Sequence, residues 1–354
     1  MKILVINPGS TSTKIAVYED EKEVLRTNIK HPAEEIAKYN EIIDQKDFRT
    51  QVILSTLKDN NIEARFDAVI GRGGLLKPMA GGVYEVNQQM IDDATHAEHK
   101  HASNLGCIVA AQIAKNQEGC RAYIADPVVV DELSDVARVS GLPQMPRVSI
   151  WHALNQKAIC RRYAKEQGKA YEDLRLICVH LGGGVSVAAH DHGLTVDVNN
   201  ALDGEGPFSP ERAGTLPAAD LIRACFSGEY TEAQLLKMMA GKGGFAAHLG
   251  TNDALDVEIR ALKKGDEKAR LVFDAMIYQI AKNIGAQAAV LCGQVDAILV
   301  TGGMAHSPYI CDELRRRCGF IAPICVYPGE DELEALATNA YDVLSGKREA
   351  KQYC

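Results

Sequence analysis

The chain has 354 residues, with 39 Lys and Arg against 47 Asp and Glu for a net charge of −8; 46% of it is hydrophobic and 24% charged. That is two domains' worth of ordinary globular composition, which excludes global disorder and coiled coil, and its acidic balance excludes a protein that coats nucleic acid. No apolar run approaches the roughly 18 residues of a membrane span, and four apolar residues before Asn7-Pro8 make no signal peptide, so no membrane partner and a cytoplasmic location are expected.

Taken in order, residues 2–6 read as a buried strand, followed by a Pro-Gly-Ser-Thr turn and a second strand at 14–18. Residues 67–70 form a short strand that runs into Gly71-Arg72-Gly73-Gly74. A helix is expected at 105–116, a strand at 122–130 interrupted by Asp126-Pro127, and a helix at 150–167. A strand at 174–180 enters Gly182-Gly183-Gly184 and returns at 185–189. The longest helix, 266–291, repeats its apolar residues at three- and four-residue steps through Phe273, Met276, Ile277, Ile280 and Ile284. A strand at 296–301 enters Gly302-Gly303, and a helix at 330–344 follows. Strands alternating with helices predict an α/β protein. The domain boundary is placed near residue 150, giving domains 1–150 and 151–330, with 331–354 packing back on the first.

Residues 3–11 and 177–184 share one pattern of apolar strand, polar residue, glycine turn and returning strand, with Asn7 and His180 in equivalent places. A chain of two duplicated halves would look like this. The ten cysteines, at 107, 120, 160, 178, 225, 292, 311, 318, 325 and 354, contain no C-x-x-C pair. They read as reduced thiols, several packed as small apolar groups. His96, His99 and His101 have no metal-ligand spacing and read as a solvated face.

Tight glycine turns between strands gather backbone N–H groups into anion-binding concavities, and glycine lets a ligand approach without a Cβ clash. The first turn adds the hydroxyls of Ser10, Thr11, Ser12 and Thr13 and the charge of Lys14. Three consecutive glycines in the second exceed what a hairpin needs. The sequence has neither G-x-x-x-x-G-K-[ST] nor G-x-G-x-x-G, so any nucleotide is held by another architecture than the P-loop or simple dinucleotide fold.

The stretches Asn7-Pro-Gly-Ser-Thr-Ser-Thr-Lys14, His180-Leu-Gly-Gly-Gly184 and Val300-Thr-Gly-Gly303 resemble the two phosphate motifs and the adenosine motif of the acetate/butyrate kinase family. The resemblance runs essentially end to end. Gly71-Arg-Gly-Gly-Leu75, Ala125-Asp-Pro-Val-Val129, residues 206–215 and Tyr327-Pro-Gly-Glu-Asp-Glu332 are similar to the butyrate kinases of that family in particular. Acetate kinases are longer and carry Asn where this chain has Gly183. The resemblance implies two duplicated ribonuclease H-like (actin-like ATPase) domains with a cleft between them. It also implies Mg²⁺-assisted phosphoryl transfer from ATP to a short-chain carboxylate, most closely butyrate, to give an acyl phosphate and ADP.

A carboxylate acceptor is already ionised at neutral pH, so its kinase must align charges and screen them rather than supply a base. The resemblance assigns Arg72 and Arg212 to the carboxylate and migrating phosphoryl, and His152 to the phosphoryl in flight. It assigns Asp126 to metal–water coordination or to orienting an arginine. His180, Gly182, Gly183, Gly184, Gly302 and Gly303 fall to phosphate and nucleotide, and Asp253 to the ribose. Asn7 and an acid of Glu330-Asp331-Glu332, with Glu330 and Glu332 as candidates, fall to the metal. Leu255 stands where acetate kinases have Arg. Gly74 and Leu75 are expected to leave apolar room beside Arg72. The partners expected are a small carboxylate and a nucleotide, and the chain is expected to form a homo-oligomer, dimer or higher. Acetate, propionate and branched acids are alternative substrates. Other classes are a nucleotide-switched chaperone-like or sensor ATPase, which would carry a partner-binding domain, and an exopolyphosphatase-like hydrolase.

Overall fold

The computed structural model describes residues 1–97 and 100–354. The chain divides into two compact units, Met1–Val130 together with Asp331–Cys354, and Asp131–Glu330. The division thus falls before residue 131 and not near 150. Polar ties hold the intervening segment to the second unit. Glu132 pairs with the buried Lys157 at 2.8 Å and accepts from the Thr195 amide, Ser134 N–H donates to Val196 O, and Arg147 pairs with Asp197 at 3.0 Å.

In the first unit β1 (Lys2–Pro8), β2 (Ser12–Glu19) and β3 (Lys22–Lys30) form an antiparallel meander. β4 (Ala68–Arg72) and β6 (Arg121–Ala125) add in parallel, and β5 (Val83–Glu85) closes the edge, giving the order β3-β2-β1-β4-β6-β5. In the second unit β7 (Arg175–Leu181), β8 (Val185–Asp191) and β9 (Leu194–Val198) repeat the meander. β10 (Ala297–Gly302) and β11 (Ile324–Pro328) repeat the parallel additions, in the order β11-β10-β7-β8-β9. Read from the third strand of each meander, both sheets have the same strand order through five strands.

Alternating side chains of a strand serve opposite faces of a sheet. Ile177 and Val179 pack on the long helix Glu267–Val290 through Phe273, Met276, Ile280 and Ile284. Leu176 and Cys178 face the helix Ala153–Glu166 through Cys160, Tyr163 and Ala164. In the first unit Leu4, Ile6, Ile15, Val17 and Val69 pack on the helices Lys46–Asp59 and Leu105–Ala114. The C-terminal helix Glu332–Leu344 packs on β1, β2, β4 and β6 of this unit. The strand expected at 122–130 ends at Ala125, because Asp126 takes φ of 39°. Among the described residues no helix is long and apolar enough to cross a membrane.

Two facing glycines set where β4 delivers Arg72. A Cβ on Gly71 would strike the Gly106 backbone, and a Cβ on Gly106 would strike the Arg72 carbonyl. The start of helix Leu105–Ala114 therefore seats directly on the strand end. The β1–β2 turn, closed by Gly9 N–H to Ser12 O at 2.8 Å, is gripped from inside. The buried Arg49 guanidinium donates to the carbonyls of Gly9 (2.8 Å), Ser12 (3.2 Å) and Ser10 (3.3 Å), to Thr13 Oγ1 (3.1 Å) and to Gln45 Oε1. His31 Nε2 shares a 2.8 Å hydrogen bond with Thr13 Oγ1.

Burial, reinforced by the Arg49 charge, pushes the His31 imidazole down from 6.5 to about 4. Its neutral form is the one the fold prefers. Stability from this group is complete above pH 6.5 and is lost as pH falls through 4, a change of up to about 3 kcal/mol. Urea unfolding of the natural chain and of His31→Gln from pH 7 to 4 should show the natural chain losing more stability across that window. Parallel curves would show that the imidazole is not held neutral.

Candidate active site

In the first unit the candidate residues sit where parallel strands end. Asn7 and Arg72 flank Glu332, the first residue of the C-terminal helix. Asn7 Nδ2 donates to Glu332 Oε2 at 2.6 Å, and Arg72 Nη2 lies 3.1 Å from Glu332 Oε1. One carboxylate thus joins two of the expected residues. Its neighbour Asp331 instead caps the helix, accepting from Glu334 N–H, and pairs with Arg26 at 2.7 Å. Asp126, one residue past β6 and 1% exposed, exchanges two hydrogen bonds with Gly82. Its Oδ1 accepts from Gly82 N–H at 2.7 Å, and its own N–H donates to Gly82 O at 3.0 Å. Ser10, Thr11 and Lys14 are exposed and Ser12 half-buried, whereas Thr13 turns inward onto His31 and Arg49. With three turn carbonyls drawn in to Arg49, their oxygens are kept off the face an anion would approach. Gly74 leaves no apolar room: a Cβ there would strike the Asn104 backbone, and Asn104 Oδ1 accepts from Leu75 N–H.

In the second unit His180 is the penultimate residue of β7, and its ring stacks on that of His152, with centroids 3.8 Å apart and planes 11° from parallel. His180 Nδ1 meets Asn155 Oδ1 at 2.8 Å, and its Nε2 lies 3.4 Å from Glu330 Oε2. The three glycines make room for protein as well as for a turn. The space of a Gly182 side chain is taken by the His180 ring, and that of Gly184 by the Arg212 guanidinium. Gly183 O accepts from Ser209 Oγ at 2.5 Å and from Glu211 N–H at 3.3 Å, fixing the loop that carries Arg212. Arg212 donates to Ala201 O, and burial pulls its pKa below the ordinary arginine value against the opposing pull of Glu211 and Asp203.

β10 runs beside β7 with Thr301 paired to His180. Gly302 takes φ of 93°, packs its bare Cα on the Leu181 backbone and exchanges hydrogen bonds with Gly329 at 3.0 and 2.9 Å. Gly303 then opens a short 3₁₀ turn, Gly303–His306. Asp253 caps the helix Ala254–Lys263 through the amides of Leu255 (2.9 Å) and Asp256 (3.2 Å).

Sequence patterns gave no sign of Arg49, Gln156 or Ser186. Arg49 lies in a helix with no motif of its own, and its role appears only when the fold lays that helix under the turn. One set of soft ligands, Cys160, Cys178 and His190, lies buried with its atoms within 4.8 Å of one another. Both nitrogens of His190 already have partners, Tyr171 Oη at 2.7 Å and Gln156 Oε1 at 3.1 Å. Of the histidines at 96, 99 and 101, His96 bonds Asp92 O of its own helix and His101 bonds Ser103; His99 lies outside the described residues.

Residues 147–317 match the Acetokinase family. The chain is 59% identical to a protein of Bacteroides thetaiotaomicron named probable butyrate kinase, over all of both chains. It is 56% identical to butyrate kinase 2 of Clostridium acetobutylicum, over 99% of each. The crystal structure of Porphyromonas gingivalis acetate kinase superposes with a TM-score of 0.79 over 97% of this chain and 99% of that one, at 21% identity. A propionate kinase from Francisella tularensis gives 0.76 over 96% and 98%, at 16% identity. The duplicated sheets are those of the actin-like ATPase fold, and the chain belongs to the Acetokinase family, whose members are kinases that phosphorylate a carboxylate with ATP.

Proposed function

We propose that the chain transfers the γ-phosphoryl of ATP in line to butyrate, giving butanoyl phosphate and ADP, and that the reaction is reversible. The observation that carries this reading is the end-to-end likeness to butyrate kinases. Butyrate, with a carboxyl pKa of about 4–5, arrives ionised, so the work of the site is to bring two anions together. Arg72 receives the substrate carboxylate, and its hold on the Glu332 carboxylate supports that chemistry. Arg212 screens the charge of the migrating phosphoryl, and His152 donates a hydrogen bond to it. Ser10, Thr11, Ser12, Lys14, His180 and the glycines at 182–184 hold the phosphates of ATP, while Thr13 acts through the shape of the turn. Gly302 and Gly303 lie against the adenosine, with Asp253 toward the ribose.

Mg²⁺ suits the Glu332 carboxylate, which Asn7 Nδ2 orients by a 2.6 Å hydrogen bond, since it binds through one or two carboxylates plus phosphate oxygens. Held there, it would supply positive charge against the phosphates of ATP. Of the three acids at 330–332, Glu332 is the one we assign to it. The Gly82 bonds suit Asp126 to orienting its strand end more than to acting as a base.

The ten free thiols support a reducing, cytoplasmic location. We also propose self-association through the second unit. The helices Ala218–Cys225 and Glu232–Met239 have no buried residue, yet Ile222, Phe226, Leu236 and Met238 are exposed, Phe226 by 87%. Such apolar surface is characteristic of an interface.

Three outcomes test these assignments. Arg72→Ala and Arg212→Ala should each lower kcat by at least about 100-fold, the scale of a lost oxyanion donor. Steady-state kinetics with kcat preserved and only KM raised would reduce both to binding residues. For substrate choice, one methylene is worth only about 1–3 kcal/mol, so kcat/KM measured from C2 to C6 acids should rise to a maximum at C4 and then fall. A maximum at acetate would overturn the butyrate assignment and leave the kinase chemistry standing. Finally, light scattering on a sizing column should give a multiple of the 38.4 kDa chain mass, reduced by Phe226→Asp. A monomeric natural chain would refute self-association.

A further inference from the structure

His152 is one end of a line of buried polar groups in the second unit whose order is set by the Gln156 amide. The Ser186 carbonyl oxygen can only accept, and the Gln156 side chain meets it at 3.1 Å. Gln156 must therefore turn its amide nitrogen this way, and the same nitrogen donates to Ser186 Oγ at 2.7 Å. Its oxygen then faces His190 Nε2 at 3.1 Å, which must carry a hydrogen, and His190 Nδ1 accepts from Tyr171 Oη at 2.7 Å. Ser186 Oγ, which accepts from Gln156, keeps its own hydrogen for a further bond, and His152 Nδ1 lies 2.8 Å away as the ring partner for it. Gln156, Ser186 and His190 are fully buried and Tyr171 is 5% exposed, so water does not compete for these bonds. The stacked His180 ring fixes the plane of His152.

We propose that Gln156 and Ser186 are positioning residues that hold His152 as its Nε2–H tautomer, so that the neutral ring presents a hydrogen-bond donor to the transferring phosphoryl. The proposal rests on the reading of His152 as the phosphoryl contact. A buried partner that sets an imidazole's tautomer can govern kcat with the geometry intact. The order of donors also gives direction: an amide nitrogen that donates to Ser186 Oγ leaves the hydroxyl's hydrogen to be given to the ring.

Gln156→Glu tests it, because a carboxylate in that place accepts from Ser186 Oγ. The hydroxyl must then accept from His152 Nδ1, which moves the ring proton away from Nε2. In nitrogen-15 and carbon-13 spectra of histidine-labelled protein, His152 should be Nε2–H in the natural chain and Nδ1–H in the variant. The variant's kcat should fall by about 100-fold with KM for butyrate within about twofold, and in a His152→Ala background the same change should have no further effect on kcat. Ser186→Ala, which only removes the hydroxyl, should cost about 10-fold in kcat, near the worth of one hydrogen bond, and again nothing in the His152→Ala background. It serves where Gln156→Glu does not fold. An Nδ1–H or doubly protonated His152 in the natural chain at neutral pH would overturn the proposal, as would equal kcat losses with and without His152. Full kcat in His152→Ala alone would instead overturn the phosphoryl-contact reading, with the tautomer still decided by the spectra.

Discussion

Parallel pairing is the constraint on which the candidate site depends. β1 pairs with β4 through Ile6 and Gly71, and β4 with β6 through Arg72 and Ala125. Three strands therefore finish at one level, and Asn7, Arg72 and Asp126 emerge at the same end of the sheet. β7 and β10 do the same in the second unit, where His180 is opposite Thr301. Open sheets of this kind bind ligands beyond the carboxyl ends of their strands. The residues with chemistry follow that rule, while the strands behind them are filled with Ile, Leu and Val that face helices on both sides.

At those strand ends the glycines do two different jobs. Gly71, Gly106 and Gly302 let backbone approach backbone, which fixes where the neighbouring functional residue stands. Gly182 and Gly184 yield their side-chain space to His180 and Arg212. An alanine at 184 would contend with a guanidinium that already gives up solvent, so this glycine is a seat for the cation.

Much of the fold was legible because periodicity reports burial. The long helix with its Phe273, Met276, Ile280 and Ile284 stripe appears within one residue of its expected ends, and the Asn7 and His180 hairpins fall in matching places of matching sheets. The helices between 218 and 263 gave no such pattern, since two of them bury nothing within the chain. Motifs located the turns, but which side chain faces which could not be read from them. Thr13 is the plain case: it stands in a row of hydroxyls, yet strand alternation turns it inward between half-buried Ser12 and exposed Lys14. The compact units divide before residue 131, where the sequence pattern pointed near 150, because Glu132, Ser134 and Arg147 attach by contacts distant in sequence.

The duplicated hairpins have diverged in what holds them, and the difference follows from charge. Beneath the first turn lies Arg49, a buried cation whose hydrogen-bond partners are carbonyls, an amide and a hydroxyl, with burial lowering its pKa to about 10. An uncompensated buried charge is costly, and a polyanion held over that turn would offset part of the cost. Below the second turn the groups are the amide of Gln156, the hydroxyl of Ser186 and imidazoles, whose cost is met by hydrogen bonds among themselves. A cation beneath the first hairpin therefore favours an anion over it, whereas the second rests on neutral groups that satisfy one another.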